Sequence, residues 1–287
     1  KESTIYVSLE PCSHYGKTPP CADLIVEKGF KKVVIGMIDP FAKVKGRGIK
    51  RLFENGCHVT VGVCEAECAE LNKRFIPFHA KKRPFVILTW AESKDGYLSP
   101  FEFNKQKSQD PVWLTNTYSK QRVHQWRSEE QAILVGKHTA LMDNPSLTTR
   151  LWKGPNPIRI LIDRHLEVPK THAVFSADAN TIVFTGKSTQ LSNTNVKNVE
   201  IDFEKDVILQ LLQALHNENI QSLIVEGGKI TLQSFIDLGL WDEARVFRSH
   251  HLLHQGTKAP DFKAKVVRTE MILDDELRFY TNQILCD

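Results

Sequence analysis

The stretch SLIVEGGKITLQSFIDLGL (222–240) reads as a short apolar strand, two glycines and then a helix. A continuous apolar run of this length, closed by glycines, suits a strand buried on both faces. Gly227 and Gly228 let a phosphate approach the backbone, and the helix start adds N–H donors and positive potential. A Gly-Gly turn alone is more often a plain tight turn. Its place between strand and helix gives it weight.

Working outward, the same alternation recurs. FVILTWA (85–91), AILVG (132–136), PIRILID (157–163) and TIVFTG (181–186) read as strands, and SKQRVHQWRSEEQ (119–131) and VILQLLQALHNENI (207–220) as helices. ARVFRSHHLL (244–253) and VVRTEMILDDELRFYTNQ (266–283) read as terminal strands. Ahead of them, TIYVSL (4–9), KVVIGMI (32–38) and CHVTVGV (57–63) alternate with helices over 19–29, 48–56 and 65–78. The basic stretch HAKKRP (79–84) reads as a linker. The expectation is α/β with two domains, 1–80 and 84–287.

The chain has 287 residues, 41% hydrophobic and 25% charged, with a net charge of +4. That balance gives ample core and suits an anionic small substrate, but it is too weak to argue for nucleic acid. No apolar run approaches the ~20 residues that span a bilayer, and no signal peptide is visible. The expected location is cytoplasmic, with neither nucleic acid nor membrane as partner. Five of the six cysteines precede residue 70, a clustering that favours metal binding or burial over a disulfide framework. The first residue is Lys1, so a missing beginning is expected.

Cys12 and Cys21 flank a Pro-rich loop. One lies just past a strand and the other in the first helical turn, so both point into one space. Zinc takes soft thiolates in a tetrahedron, and a helix start favours the thiolate. An isolated pair at this spacing would more often be two buried thiols. The surrounding LEPCSHYGKTPPCAD (9–23) changes that balance.

LEPCSHYGKTPPCAD resembles the zinc loop of the bifunctional deaminase-reductase family of riboflavin biosynthesis, the RibD family. IDPFAKVKGRGIKRL (38–52) is similar to its D-P-x-x-x-V-x-G-x-G segment. RPFVILTWAESKDG (83–96), VWLT (112–115), AILVGKHTALMDNPSLTTR (132–150), ILIDR (160–164) and SLIVEGGKITLQSFIDLGLWDE (222–243) resemble its reductase domain. The resemblance covers essentially the whole chain. It implies an incomplete cytidine-deaminase-like βαβ domain, followed by a dihydrofolate-reductase-like domain. The implied reactions are zinc-dependent hydrolytic deamination of a pyrimidine and NADPH-dependent reduction of a ribosylamino-pyrimidine phosphate. The alternative is a monofunctional reductase with a degenerate first domain, and a homodimer or larger assembly is implied.

By the same resemblance Cys12 and Cys21 hold zinc. The third ligand, a His, and the proton-shuttling Glu belong to an H-A-E segment that this sequence does not contain. His14 is expected to line the pocket or its loop, and Cys57, Cys64 and Cys68 to pack in the core. In the second domain, Ala91, Trp113, Thr139, Asp143, Gly228, Lys229, Ile230 and Thr231 are implied to face NADPH. Leu147, Arg150 and Glu226 are implied to face substrate, with Glu226 also the candidate proton donor. Arg150 suits a phosphate because its guanidinium is a forked cation. The chain departs from the family at Thr89, where Lys is frequent, and at Pro111 and Arg164, where Ser is frequent. Arg164 is expected near the cofactor, where it favours an extra phosphate. HHLLH (250–254) is expected to be coincidental, because strand alternation puts His250 and His251 on opposite faces.

Overall fold

The chain divides into two units, Lys1–Arg83 and Pro84–Asp287. The computed structural model describes residues 3–16, 18–41, 44–100, 114–188 and 194–282.

The first unit runs β1 (Thr4–Leu9), α1 (Cys21–Glu27), β2 (Lys32–Met37), α2 (Arg47–Glu54), β3 (His58–Val61), α3 (Glu65–Leu71) and α4 (Phe75–Ala80). Its three strands form a parallel sheet in the order β1-β2-β3. Val33 and Ile35 of the central strand pack with Ala22, Ile25, Leu52 and Cys57 in one core. Gly29 and Gly56, at φ +71 and +76, close α1 and α2, a conformation that only glycine adopts at no cost.

The single helix expected over 65–78 is two. Pro77 has no N–H for a bond to residue 73, so a continuous helix would break there. The chain restarts instead: Phe75 and Ile76 both donate to the Asn72 carbonyl, which puts Pro77 in a first turn. That second helix runs to Ala80, into the segment read as linker. Of the three cysteines expected in the core, Cys57 is buried there, whereas Cys64 is exposed. Cys64 sits at φ +54 ahead of α3, outside the packed face. Cys68 Sγ lies where a Cβ on Gly36 would collide, so that glycine makes room for it.

The second unit runs β4 (Phe85–Glu92), β5 (Tyr97–Ser99), α5 (Thr117–Glu129), β6 (Ala132–Gly136), α6 (Lys137–Asp143), β7 (Ile158–Ile162), β8 (Thr181–Thr185), β9 (Val196–Glu200), α7 (Val207–Asn217), β10 (Ser222–Val225), α8 (Lys229–Asp237), β11 (Glu243–Arg248), β12 (Thr257–Lys258), β13 (Val266–Ile272) and β14 (Asp275–Thr281). Nine of its strands form one sheet, ordered β13-β14-β11-β4-β10-β6-β7-β8-β9. From β11 to β9 the neighbours are parallel, and β14 and β13 add an antiparallel edge. The last sequence segment, read as a strand, is thus a hairpin that turns at Leu273 and Asp274.

Strand alternation sends β4 residues to two cores. Val86, Leu88 and Trp90 pack with α7 and α8, while Phe85 and Ile87 pack with Trp126 of α5 and Ala140 of α6. Helices on both faces explain why these strands read as unbroken apolar runs. Asn116 caps α5, accepting from the amides of Tyr118 and Ser119, and donates to the Ile272 carbonyl and Asp274. The buried Asp275 accepts from the Asn116 amide and the Ser119 hydroxyl, which fastens α5 to the hairpin.

The chain leaves β6 outward to β7, β8 and β9, then returns to place β10 between β4 and β6, and continues past β4 to β11. At that reversal the carboxyl ends of β4, β10 and β6 lie side by side, the place in an open parallel sheet where ligands bind.

Candidate active site in the second unit and cysteine pair in the first

Glu226 directly follows β10, and its amide donates to the Leu134 carbonyl of β6. Its carboxylate is gripped by Arg127 of α5: Nε donates to Oε1 at 3.1 Å and Nη2 to Oε2 at 2.6 Å. The two side chains are 12% and 15% exposed, just beyond the end of β10. Arg127 also donates to the Thr148 carbonyl, and Arg150 Nη1 donates to the Thr148 hydroxyl at 3.2 Å. The implied substrate residues Glu226 and Arg150 are therefore drawn together by Arg127 and Thr148. Burial, then the neighbouring Arg127 charge, push the Arg150 guanidinium below its usual value, while Glu226 opposes them. Two arginines beside one carboxylate leave this cluster a net cation, which an anionic group would neutralise.

His124 of α5, 5% exposed, lies behind these groups, and its Nδ1 accepts from the Arg150 amide at 3.0 Å. Burial first, then the Arg127 and Arg150 charges, lower its pKa to about 4, against Glu226 and the Thr148 backbone. Leu147 has φ +54, and its side chain is buried in the core with Ile133, Ala140 and Leu161.

The paired-glycine turn is built differently from its sequence reading. The Gly228 amide donates to Thr139 Oγ1 of α6 at 2.9 Å, so that donor is already engaged. A Cβ on Gly227 would stand 2.9 Å from Thr231 Cβ, and one on Gly136 would stand 2.6 Å from Thr231 Oγ1. Both glycines make space for Thr231, which seats the start of α8 against the end of β6. The helical ladder begins with Leu232 donating to Gly228, so the amides of Lys229, Ile230 and Thr231 precede it. The Ile230 side chain is 82% exposed. Asp143 lies one turn beyond Thr139 on the same face of α6. Ala91, half-buried near the end of β4, stands opposite Phe247 of β11. Trp113 and Pro111 lie outside the described residues.

Thr89 is buried and donates to the Arg245 carbonyl of β11 at 2.9 Å, so its hydroxyl is spent within the sheet. Arg164, past the end of β7, donates to Glu204 at 2.6 Å and lies 5.5 Å from the Phe203 ring. They line a cavity of about 390 Å³ with Glu200, Asp202 and Gln210. The histidine expectation fails in its premise. The strand ends at Arg248, the rings of His250 and His251 are 3.9 Å apart, and His250 Nδ1 lies 3.0 Å from Asp274 Oδ2.

In the first unit, Cys21 opens α1 and its amide donates to Cys12 Sγ at 3.3 Å. Burial, then hydrogen bonding to Cys12 and its proximity, push the Cys21 thiol up. Two soft sulfurs at one point fit two corners of a zinc tetrahedron. Among the described residues His14 does not join them, and the cluster of three potential donors that does occur is His250, Asp274 and Asp275. Glu10, missed by sequence reasoning, holds this end of the sheet. It is 3% exposed and accepts from the amides of Asp39, Gly46, Gly48 and Ile49 at 3.3, 2.9, 2.9 and 3.2 Å. Arg127 and His124 were missed as well. Only their spacing on α5, three residues apart and hence on one face, pointed to them.

The family model for the RibD C-terminal domain matches residues 84–257. The riboflavin biosynthesis protein RibD of Aquifex aeolicus is 36% identical over 275 residues, 94% of this chain and 76% of its own. That of Bacillus amyloliquefaciens is 37% identical over 268 residues, 91% of this chain and 70% of its own. The crystal structure of the diaminohydroxyphosphoribosylaminopyrimidine deaminase/5-amino-6-(5-phosphoribosylamino)uracil reductase of Thermotoga maritima superposes with a TM-score of 0.86. It is 35% identical, over 97% of this chain and 79% of that one. Among the described residues no helix is long and apolar enough to cross a membrane.

Proposed function

From the premise that this chain belongs to the RibD family of riboflavin-biosynthesis proteins, we propose that its second unit reduces 5-amino-6-(5-phosphoribosylamino)uracil to the ribitylamino form with NADPH. The observation that carries this reading is the Arg127–Glu226–Arg150 arrangement at the end of β10.

Arg150 takes the substrate phosphate, as a forked cation matched to phosphate oxygens. Glu226 keeps lone pairs free on both oxygens while Arg127 fixes the plane of its carboxylate. It accepts from ribose hydroxyls or ring N–H groups, which orients the acceptor carbon. Thr139 holds the Gly228 amide, and the following amides at the start of α8 receive a cofactor phosphate. Thr231, Lys229 and the backbone of Ile230 complete that cradle, with Asp143 and Ala91 toward the nicotinamide half. NADPH, when bound, supplies the hydride. The exclusion of water and the alignment of the two partners fall to the protein.

The first unit we assign to the cytidine-deaminase kind, with Cys12 and Cys21 as two zinc ligands and the third, as the resemblance implies, a histidine of an H-A-E segment that this sequence does not contain. Zinc, when bound, supplies a water acidic enough to attack the amine-bearing pyrimidine carbon. The location is cytoplasmic and the assembly a homodimer or larger.

The test is absorbance of NADPH with the deaminated substrate and with its undeaminated precursor. Turnover of the deaminated compound supports the reading, and turnover of neither overturns it.

A further inference from the structure

The loop that carries Arg150 has a support that neither the motif nor the phosphate role accounts for. The Arg150 amide donates to the Nδ1 atom of a buried histidine rather than to another backbone carbonyl. To accept there, His124 must be neutral, with its proton on Nε2. The groups that face it agree with this: Arg127 on its own helix, Arg150 and Thr148 on the loop, and Glu226 past β10. Two guanidinium groups close by disfavour a third positive charge, and the single carboxylate is already clasped by Arg127.

We infer that His124 is a positioning residue for reduction: as a neutral acceptor between Arg127 and Arg150, it fixes the backbone from which Arg150 reaches the substrate phosphate. The inference rests on the phosphate role of Arg150 proposed above. A charged or apolar residue here changes the arrangement. A cation repels both arginines, an anion captures one of them, and an apolar side chain takes away the Nδ1 acceptor of the part-buried Arg150 amide. A neutral imidazole supplies the acceptor without competing for either guanidinium.

The experiment compares KM for the phosphorylated substrate, KM for its dephosphorylated nucleoside form, and KM for NADPH. Arg150→Ala comes first. If it leaves the phosphorylated-substrate KM unchanged, the phosphate reading and this inference both fall. If it raises that KM, the His124 variants decide. His124→Ala is expected to raise KM about tenfold for the phosphorylated substrate, the scale of one lost hydrogen bond. The dephosphorylated form and NADPH should be unaffected. His124→Asn places an oxygen where Nδ1 stood and should recover KM to within about threefold, whereas His124→Gln, whose polar atoms fall at the Nε2 side, should not. Equal losses on both substrate forms, or Gln matching Asn, would overturn the inference while leaving the phosphate role intact. Should the alanine variant fail to fold, the Asn and Gln pair alone separates the same two outcomes.

Discussion

Glu10 and Glu226 occupy equivalent places in the two units. Each is the first residue beyond a parallel strand, β1 or β10, at the carboxyl end of its sheet. Glu10 is spent on four backbone amides that belong to the loop before α2 and to its first turn. Glu226 is met by one arginine from a neighbouring helix and stays partly exposed. Gly48 shows how closely the first arrangement is drawn, since a Cβ there would stand 1.9 Å from the Pro11 carbonyl oxygen. A carboxylate saturated by amides holds chain segments together. One held by a single side chain keeps lone pairs for a ligand. The kind of partner, rather than the position in the fold, separates an acid that ties the chain together from one whose oxygens stay open to a ligand.

The largest expected effect tests the first half of that contrast. Glu10→Ala strands several buried amides and should destabilise the first unit by about 3–5 kcal/mol. Hydrogen exchange at Gly46, Gly48 and Ile49 reads this directly, and reduction of the pyrimidine substrate should persist. Loss of turnover with protected amides would invert the comparison. Next, Glu226→Gln keeps the shape and removes the charge. If Glu226 orients substrate as proposed, it should lower kcat/KM about a hundredfold with little change in Tm. A large fall in Tm would make Glu226 a structural acid like Glu10. Arg127→Lys cannot grip both oxygens and should cost about tenfold in kcat/KM.

A pH titration sharpens the same boundary. Burial and two arginines hold His124 at about 4 in the folded chain, against 6.5 for a free histidine. Between these values the unfolded chain binds a proton that the folded chain does not, so stability rises with pH through the window. The contribution is complete above ~6.5 and is lost on acidification toward ~4. His124→Asn should flatten that part of the stability curve, and an unchanged slope would show that the histidine does not set it. The smallest effect belongs to Thr139→Val, which deprives the Gly228 amide of its acceptor and should raise KM for NADPH about threefold with kcat preserved. An unchanged KM for NADPH would detach this turn from the cofactor.

Much of this arrangement was legible in the chain. The runs around Val86, Ile133, Ile160 and Leu223 are apolar without interruption because helices cover both faces of their sheet, so strands and α/β class could be read directly. Glycines placed α1 and α2 to within two residues. The break at Asn72 was missed because α3 and α4 together keep a helical pattern up to Pro77. At the site, the sequence singled out the stretch ending in Arg150 and the turn after Glu226, but not the packing role of Gly227. It serves the packing of Thr231, a contact between elements that no local pattern records.

The sequence alone determined where the chain alternates between strand and helix, and which side chains had the chemistry for phosphate or metal. Those properties are local: period, turn residues and functional groups are written in adjacent positions. The tertiary structure decided which of those groups meet. Arg127 and Glu226 are 99 residues apart and Glu10 and Gly48 are 38 apart. Their pairing depends on strand order, which is set by how the whole sheet buries its two faces. A carboxylate therefore acquires its role only once the fold has chosen its partner.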